Sequence, residues 1–399
     1  MRFRRRWPWA PSRVPRMRTE APAMADLDIL DVRLHGESVG TLTRLGRERI
    51  VFGFDPAHLD DPERCTLSLS FKAPFGGLLT DIAPTRTHAP PFFSNLLPEG
   101  SLREYLARSA AIDPRMEFLL LATFGEDLPG AVTITPVGGS WTGSAVGRAR
   151  QSASRRESAA RSPGDRGTPD AVVRPLFRAP PAVPRPAAPL RYSLAGTQLK
   201  VPAVMSAGRF SVPRHGVGGT WIVKLPSLRF PGLPEMEHRA MRLAASVGIE
   251  VAETRLVPVE SVEGLPLGMG EGEGHALAVK RFDRLDDGTR VHTEDFAQIL
   301  GVQPDEKYEG ATYCGIAEII GREIGDEAVT EFVRRLVFCA LIGNGDAHLK
   351  NWSVVYPDGR TPRLAPAYDL VPTVVYANDS RMALDWVKGA GVIGDLSDG

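Results

Sequence analysis

The order of apolar and polar positions predicts a small β-rich unit near the start of the chain. Apolar and polar residues alternate over Ile29–Thr43, where the pattern turns at Gly40, and further strands are expected at Arg49–Phe54 and Thr66–Phe71. Helical spacing and a short apolar run follow. These later elements are two helices and one strand, at Phe92–Arg108, Met116–Phe124 and Ala131–Thr135.

A second unit is predicted from Tyr192 onward, with strands first and helices afterwards. Its clearest element is a helix over Pro234–Gly248, which has proline at its start, apolar residues on one face and glycine at its end. This order is typical of a bilobal kinase, although other α+β folds share it. Three further strands are predicted at Thr220–Leu225, Ala252–Val259 and Ala276–Arg281. One helix is predicted to open at His292, and two others are predicted at Gly315–Ile324 and Ala328–Ile342.

Two segments have a composition that opposes folding. Residues 1–26 are rich in arginine and proline and lack the apolar core of a signal peptide, which predicts a disordered basic extension. Residues 137–190 consist mainly of Gly, Ser, Arg, Ala and Pro, which predicts a disordered insertion, with a solvated linker favoured over an anion-binding segment. The predicted folded domains are therefore 27–136 and 191–399.

Charge and cysteine content narrow the class of protein. Basic and acidic side chains both number 48, so the formal net charge is zero and gives no sign of direct nucleic-acid or membrane binding. The sequence has no continuous apolar run of about 18 residues, the length that a membrane span needs. Three widely separated cysteines, Cys65, Cys314 and Cys339, indicate a reduced cytoplasmic protein without a disulfide framework.

The densest polar motif is LIGNGDAHLKNW, which follows an apolar helix. Asp346 precedes Asn351 by five positions, which is the spacing of a protein-kinase catalytic loop. In such a loop the aspartate accepts the proton of the attacking hydroxyl and the asparagine oxygen holds a metal ion. Lys350 lies between them and could neutralise a transferring phosphoryl group. A helix-ending turn rich in Asn, Asp and Gly would look similar, so the spacing alone leaves both interpretations open.

A second carboxylate lies 18 residues after Asn351, at the end of the short apolar run LAPAYDL. Carboxylate and amide oxygens are the ligands that Mg²⁺ prefers, and Mg²⁺ bridges nucleotide phosphates. Asn351 and Asp369 are therefore the predicted metal ligands.

Lys224 is anomalous because it is a lone charge in the apolar strand TWIVKL. An ammonium buried without a partner is costly, so a nearby anion is expected. Glu237, thirteen residues later and near the start of the predicted helix, resembles the carboxylate of the lysine–glutamate pair that positions nucleotide phosphates in kinases. The alternative is an edge-strand lysine in solvent.

The segment SLAGTQLK, Ser193–Lys200, is by itself only a polar turn that matches neither common phosphate-loop pattern. A hydrolase that uses Ser193, His348 and Asp369 is a third hypothesis. It lacks the glycine-flanked serine elbow of such enzymes and leaves Lys224 and Asn351 unexplained.

Together these motifs resemble the HipA family of kinase toxins over Leu27–Pro136 and Tyr192–Tyr376. The first part carries FFSNLLPEG and FGEDLPGAVTITP. The second carries SLAGTQLK, IVKLP, AVKRFDR, HTEDFAQ, KYEG, GNGDAHLKN and LAPAYDL in the family's order. The resemblance implies an α+β, bilobal protein-kinase-like fold and a serine/threonine kinase that uses ATP and Mg²⁺.

The resemblance also assigns roles to residues. Asp346 is expected to be the catalytic base, with Lys350 beside it, and Lys224 is expected to bind the ATP phosphates. The segment Val279–Asp283 is similar to the hinge that receives adenine, and Ser193 corresponds to the serine that the family autophosphorylates. The residues expected to contact the nucleotide are Lys224, Glu237, Val279, Arg281, Phe282, Asp283, Ser193, Gly196, Gln198, Lys200 and His348.

The resemblance further implies a small HipB-like helix-turn-helix antitoxin as partner, which would make the contact with operator DNA. An aminoacyl-tRNA synthetase is the protein substrate that it suggests. The chain stops soon after Tyr376, where the family usually continues with helices, so the C-terminal lobe is expected to be incomplete. That expectation favours a second hypothesis, a catalytically inactive module that binds the antitoxin and regulates transcription.

Overall fold

The computed structural model describes residues 27–46, 49–73, 76–138, 198–213, 218–265, 274–377 and 381–387. The predicted extension, nearly all of the predicted insertion, and the nucleotide-site candidates Ser193 and Gly196 lie outside these ranges. Within them, no helix is both long enough and apolar enough to cross a membrane.

The N-terminal domain is built on a five-stranded antiparallel sheet with the order β4-β3-β2-β1-β5. Alternation in β1 buries Leu30, Val32 and Leu34, which pack with Phe92 and Phe93 from a helix. The strands are β1 Leu27–Leu34, β2 Glu37–Leu45, β3 Arg49–Phe54, β4 Thr85–Arg86 and β5 Val132–Pro136. The helices are α1 Pro56–Asp60, α2 Pro91–Ser94, α3 Gly100–Ser109 and α4 Glu117–Phe124.

Two strand predictions in this domain were wrong. The chain turns at His35 and Gly36, both with positive φ, and Gly40 lies inside β2. A Cβ atom at Gly40 would collide with the Gly53 carbonyl oxygen, so this glycine serves close strand packing and not a turn. The predicted strand Thr66–Phe71 contains instead a 3-10 turn at its end, because the Ser68 side chain accepts a hydrogen bond from the Ser70 amide.

The predicted helix Phe92–Arg108 is interrupted. It is replaced by α2 and α3, and the segment between them contains Pro98, which cannot continue a helix. The break leaves Glu99 in an extended conformation immediately before α3. The strand Arg49–Phe54 was predicted with its observed bounds.

The second domain begins with a six-stranded sheet in the order β10-β7-β6-β8-β11-β9. In this sheet β6 and β8 are antiparallel neighbours that align Lys200 with Lys224. Helix α5, Leu233–Ser246, packs its small apolar side chains on Leu277 and Val279. The strands are β6 Lys200–Ser206, β7 Arg209–Ser211, β8 Trp221–Lys224, β9 Thr254–Pro258, β10 Val262–Glu263 and β11 His275–Lys280.

The rest of the domain is mainly helical and has its own apolar core, in which Tyr313, Phe332 and Trp352 are in contact. A three-stranded sheet, β12-β13-β14, lies beside the helices. Its strands are β12 His292–Asp295, β13 Ser353–Tyr356 and β14 Arg363–Leu364. The helices are α6 Phe296–Ile299, α7 Tyr313–Glu323 and α8 Asp326–Leu341.

The prediction that a helix opens at His292 was wrong, because His292 belongs to β12. Asp295 and Gln298 form a reciprocal capping box that starts α6 four residues later. His292 itself is fully buried, stacks on Tyr356 and shares a 2.8 Å hydrogen bond between its Nε2 atom and the Leu67 carbonyl oxygen. It is a packing residue that joins the two domains.

Buried ion pairs also join the domains. Asp283 accepts hydrogen bonds from the Gly130 amide at 2.8 Å, from Arg281 at 2.8 Å and from Arg284 at 2.9 Å. Arg284 also pairs with Asp127 of the N-terminal domain at 3.0 Å. A side chain at Gly130 would crowd the Thr293 backbone, so the two chains approach closely here.

We expect Asp283→Asn to lower the free energy of unfolding by about 3–5 kcal/mol, because it leaves two buried guanidinium groups short of a counter-charge. Chemical denaturation measures this change. The control is Asp286→Asn, which removes a surface pair with Lys280 in which the Asp286 side chain is 81% exposed. It should cost less than about 1 kcal/mol. Equal losses for the two variants would contradict the prediction.

Candidate active site

The centre of the site is a buried lysine held by two carboxylates. Lys224, at the end of β8, places its Nζ 2.5 Å from Glu237 Oε1 of α5 and also pairs with Asp369 Oδ1. Burial alone would lower the pKa of Lys224, but the carboxylates of Asp369 and Glu237 outweigh it and hold that pKa above its usual value. The lysine is therefore ionised, and the alternative of an edge-strand lysine in solvent is wrong, since Lys224 is only 5% exposed.

Asp369 also pairs with a second lysine, which belongs to the neighbouring strand β6. Lys200 Nζ lies 3.1 Å from Asp369 Oδ2, whereas Lys224 pairs with Oδ1. Although burial would raise the pKa of Asp369, Lys200 and Lys224 hold it well below its usual range. The Asp369 backbone is left-handed, with φ of 58°, a conformation that aspartate tolerates better than most residues. The second oxygen of Glu237 is buried and has no hydrogen-bond partner in the described part of the chain.

Asp346 lies in the loop after α8 and is held by a tyrosine. Tyr308 donates a hydrogen bond from its hydroxyl to Asp346 Oδ1 at 2.5 Å. The Asn344 side chain accepts from the Asp346 amide at 3.1 Å, which shapes the loop. Burial raises the pKa of Asp346 to about 6; the Tyr308 hydrogen bond lowers it and the nearby Asp369 carboxylate adds to the rise. A carboxylate with a pKa close to neutrality is suited to accept a proton.

The two predicted metal ligands fit a hard cation. Asn351 donates its amide N–H to the Asp346 carbonyl oxygen at 2.6 Å, so its amide oxygen remains as a ligand. Asn351 and Asp369 both line one small cavity of about 20 Å³. In the ranges that the structure describes, no group of three or more His, Cys, Asp or Glu side chains could hold a metal ion. A cation bound at Asn351 and Asp369 would thus need further oxygen ligands, such as phosphates.

Lys350 and His348 are engaged within the protein. Lys350 Nζ lies 2.7 Å from Glu99 Oε1, 3.2 Å from the Asn95 carbonyl oxygen and 3.8 Å from Asp295 Oδ2. His348 is buried, its ring packs edge-on against Tyr308, and burial lowers its pKa to about 3, so the imidazole is neutral. The predicted contacts of Lys350 and His348 with a phosphoryl group or nucleotide stay predictions.

The segment predicted as the adenine hinge has most of its side chains engaged. Val279 is buried in β11, and the Phe282 ring contacts Tyr368 with centroids 5.5 Å apart. The Arg281 and Asp283 side chains pair with each other, and Asp283 also pairs with Arg284, so any contact that they make with adenine is left to backbone groups. Gln198 donates to the Leu225 carbonyl oxygen at 3.1 Å, which ties its segment to the end of β8. Their binding roles stay predictions.

The hydrolase hypothesis has little support. Asp369 is occupied by Lys224 and Lys200, and the buried Nδ1 of His348 has no hydrogen-bond partner among the described residues. A triad needs that nitrogen bonded to the carboxylate.

Sequence reasoning missed Tyr308 and Glu99 as members of the site. Both lie in motifs that the resemblance picked out, KYEG and FFSNLLPEG, but neither motif shows by itself which atom it approaches. Tyr308 contacts Asp346 from 38 residues away, and Glu99 contacts Lys350 from a different domain. Only a signal of spatial contact could have found them.

The site combines a buried lysine bound by a helix glutamate, a loop aspartate, and an asparagine and an aspartate that line one cavity. Set on two lobes, this combination is typical of a kinase-like protein. The HipA N-terminal domain matches residues 30–135 and the HipA-like C-terminal domain matches residues 192–391. The protein with the name "Putative kinase Y4dM" of Sinorhizobium fredii is 48% identical over 356 residues, covering 88% of this chain and 79% of the relative. The chain belongs to the HipA family of kinases.

A more distant relative also carries the HipA name. The serine/threonine-protein kinase toxin HipA of Shewanella oneidensis is 27% identical over 329 residues, covering 74% of this chain and 66% of that protein. A solved complex of HipA, HipB and operator DNA from Shewanella oneidensis matches with a TM-score of 0.62 and 23% identity, covering 89% of this chain and 79% of that one. This likeness confirms the predicted α+β, bilobal, kinase-like fold.

We expect Asp346→Asn to raise the melting temperature at neutral pH. The pKa of Asp346 is about 6 in the folded state and 3.8 ordinarily, so between pH 3.8 and pH 6 the folded state binds more protons than the unfolded state. The ionised carboxylate therefore destabilises the fold increasingly as the pH rises through this range. An amide removes that cost and can still accept from Tyr308. The gain over wild type should grow from about pH 4 to about pH 6 and then stay constant.

Thermal unfolding from pH 4 to 8 measures it, with Asp358→Asn as a control of opposite sign. Backbone N–H groups of Thr361 and Arg360 lower the pKa of Asp358 to about 2, so its stabilisation is present at neutral pH and is lost as pH falls toward 2. A melting temperature of Asp346→Asn well below that of wild type at pH 8 would rule out the destabilising carboxylate.

Proposed function

We propose that this protein is an ATP- and Mg²⁺-dependent serine/threonine protein kinase. The observation that carries the proposal is the buried Lys224 that bridges Glu237 on α5 and Asp369 in the loop after β14. Kinases use such a lysine to position nucleotide phosphates, with the glutamate fixing the lysine and the aspartate holding the metal ion. The family membership supports the same activity.

Each group in the site would have one task. Asp346 would accept the proton of the attacking hydroxyl, and Asn351 and Asp369 would hold Mg²⁺. When bound, Mg²⁺ would neutralise charge on the transferring phosphates. Lys224 and Lys200 would turn to the phosphate oxygens, since both ammonium groups already face the same carboxylate. Gln198 precedes Lys200 closely and would help to enclose the phosphates.

The backbone of Val279–Asp283 would receive the adenine. Arg281 and Asp283 then support it indirectly, because they pair with each other and Asp283 accepts a hydrogen bond from the Gly130 amide of the N-terminal domain. Lys350 would neutralise the phosphoryl group only after changing partners, and His348 would keep the loop in place by packing.

The cellular role that we propose is that of the toxin in a cytoplasmic toxin–antitoxin pair. The matched Shewanella oneidensis structure contains HipB and operator DNA together with HipA. A HipB-like helix-turn-helix antitoxin is therefore the proposed partner, and operator DNA would be reached through it, in keeping with the zero net charge of this chain. An aminoacyl-tRNA synthetase is the proposed protein substrate, and growth arrest is the proposed effect.

We expect wild-type protein to become labelled by γ-labelled ATP in the presence of Mg²⁺, and Asp346→Asn and Asp369→Asn to lose this labelling by about 10²–10⁴-fold. Asp346→Asn should still bind Mg²⁺–ATP, because the base does not hold the nucleotide, whereas Asp369→Asn should lose the Mg²⁺ dependence of binding. Scintillation counting and calorimetry measure the two quantities. Asp305→Asn, an exposed aspartate, is the control.

A wild-type protein that neither labels itself or a partner nor binds ATP would overturn the kinase proposal. ATP binding without any transfer would favour the inactive antitoxin-binding module. Ester or amide hydrolysis without ATP would instead support the hydrolase hypothesis.

We propose that Ser193, which lies outside the described residues, is the site of autophosphorylation. A phosphate there adds roughly two negative charges close to the ATP phosphates and would oppose ATP binding. Ser193→Ala should therefore lose self-labelling at this position yet keep both its phosphorylation of other proteins and its toxicity. Phosphopeptide mapping and a growth assay test this. Loss of toxicity with intact ATP binding would contradict the regulatory role.

A further inference from the structure

The N-terminal domain reaches the catalytic loop through one carboxylate. Glu99 stands in the extended residue before α3, and its two oxygens bind two different lysines of the second domain. Oε1 lies 2.7 Å from Lys350 Nζ and Oε2 lies 2.5 Å from Lys307 Nζ. Burial would raise the pKa of Glu99, but Lys350 and Lys307 lower it to about 2, so the group is ionised at any physiological pH.

Both lysines are connected to the loop that contains the proposed base, Asp346. Lys350 is part of that loop. Lys307 accepts a hydrogen bond at its carbonyl oxygen from the Leu349 amide at 3.2 Å, and its chain neighbour Tyr308 donates to Asp346 at 2.5 Å. One carboxylate therefore fixes the loop near its end and also fixes the segment that holds the base.

We propose that Glu99 is a positioning residue through which the N-terminal domain orders the catalytic loop of the kinase domain. The proposal rests on the proposed kinase function. Without this carboxylate, Lys350 would keep only Asp295 at 3.8 Å and the Asn95 carbonyl oxygen, and Lys307 would lose its close acidic partner. Two largely buried ammonium groups would then repel each other beside the loop, and displacing the base by about 1 Å can cost roughly 10²-fold in rate.

A second ion pair between the domains offers a matched control. Lys72 of the N-terminal domain places its Nζ 2.5 Å from Glu323 Oε2 at the end of α7, and Glu323 also pairs with Arg322. The Glu323 side chain is 8% exposed, whereas Lys72 and Arg322 are 53% and 70% exposed, so this variant controls for the loss of an interdomain pair. Its partners Lys72 and Arg322 lie outside the catalytic loop. Glu323→Gln therefore removes a comparable domain contact without touching residues 344–352.

The experiment compares Glu99→Gln, Glu323→Gln and wild type as full chains. We expect Glu99→Gln to lower the rate constant of phosphate transfer at saturating Mg²⁺–ATP about 10- to 100-fold, with the half-saturating ATP concentration unchanged within about twofold. Amide hydrogen exchange over residues 344–352 should rise in Glu99→Gln alone. Glu99→Asp, which keeps the charge on a shorter side chain, should recover part of the lost rate.

Wild-type transfer and exchange in Glu99→Gln would overturn the proposal. So would equal losses in Glu99→Gln and Glu323→Gln, because they would show only a general need for domain contact. If Glu99→Gln does not fold, Glu99→Asp decides: a reduced transfer rate with unchanged ATP saturation supports positioning, and a wild-type rate refutes it. If wild type transfers no phosphate, the kinase proposal fails, and loop exchange in Glu99→Gln still decides whether Glu99 orders the loop.

Discussion

The structure of the site depends on the charge balance around Asp369. Two lysines from adjacent strands pair with this carboxylate, and one of them, Lys224, also pairs with Glu237 of α5. Removing Lys224 would leave Glu237 as a buried charge without its partner. The sheet, the helix and the loop are thereby held in one arrangement. Under the proposed function, phosphate oxygens would replace Asp369 as the partner of the two ammonium groups, which is why a stabilising interaction can also be a binding site.

The negative charge of Asp369 also affects the pKa of the proposed base, Asp346. Asp346 has a raised pKa because it is buried and because Asp369 is a nearby like charge, while Tyr308 opposes the rise by donating a hydrogen bond. Under the proposed function, a cation held by Asn351 and Asp369 would screen this charge and favour the ionised form of Asp346.

Apolar burial stabilises the interior of each domain, whereas ion pairs and hydrogen bonds connect the two domains. Each domain has its own apolar core, in which Phe92 and Phe93 serve the first and Phe332 and Trp352 the second. The contact between the domains includes directed groups, namely the Arg284–Asp127 pair, the Gly130 hydrogen bond to Asp283 and the pairs of Glu99. Apolar contact would tolerate sliding, whereas ion pairs with hydrogen-bond geometry define one orientation and so define where the catalytic loop lies.

Local sequence was enough for features whose cause is local. Asp346 and Asn351 are five residues apart in one loop, and the apolar strand around Lys224 predicted a nearby anion, for which Glu237 was the candidate. The α+β order of elements and the strand Arg49–Phe54 followed from periodicity for the same reason. Gly40 and His292 were misread because their surroundings come from neighbouring strands and from the other domain.

The tertiary structure alone decided which distant groups share a site. Lys200 meets Asp369 across 169 residues and Glu99 meets Lys350 across 251, and no periodicity or spacing encodes such pairs. The sequence by itself determined the chemical groups that a kinase site needs and the elements that carry them. The folded chain decided that Asp369 is shared between two lysines and that Lys350 faces the N-terminal domain, because Coulomb and hydrogen-bond energies depend on separation in space and not along the chain.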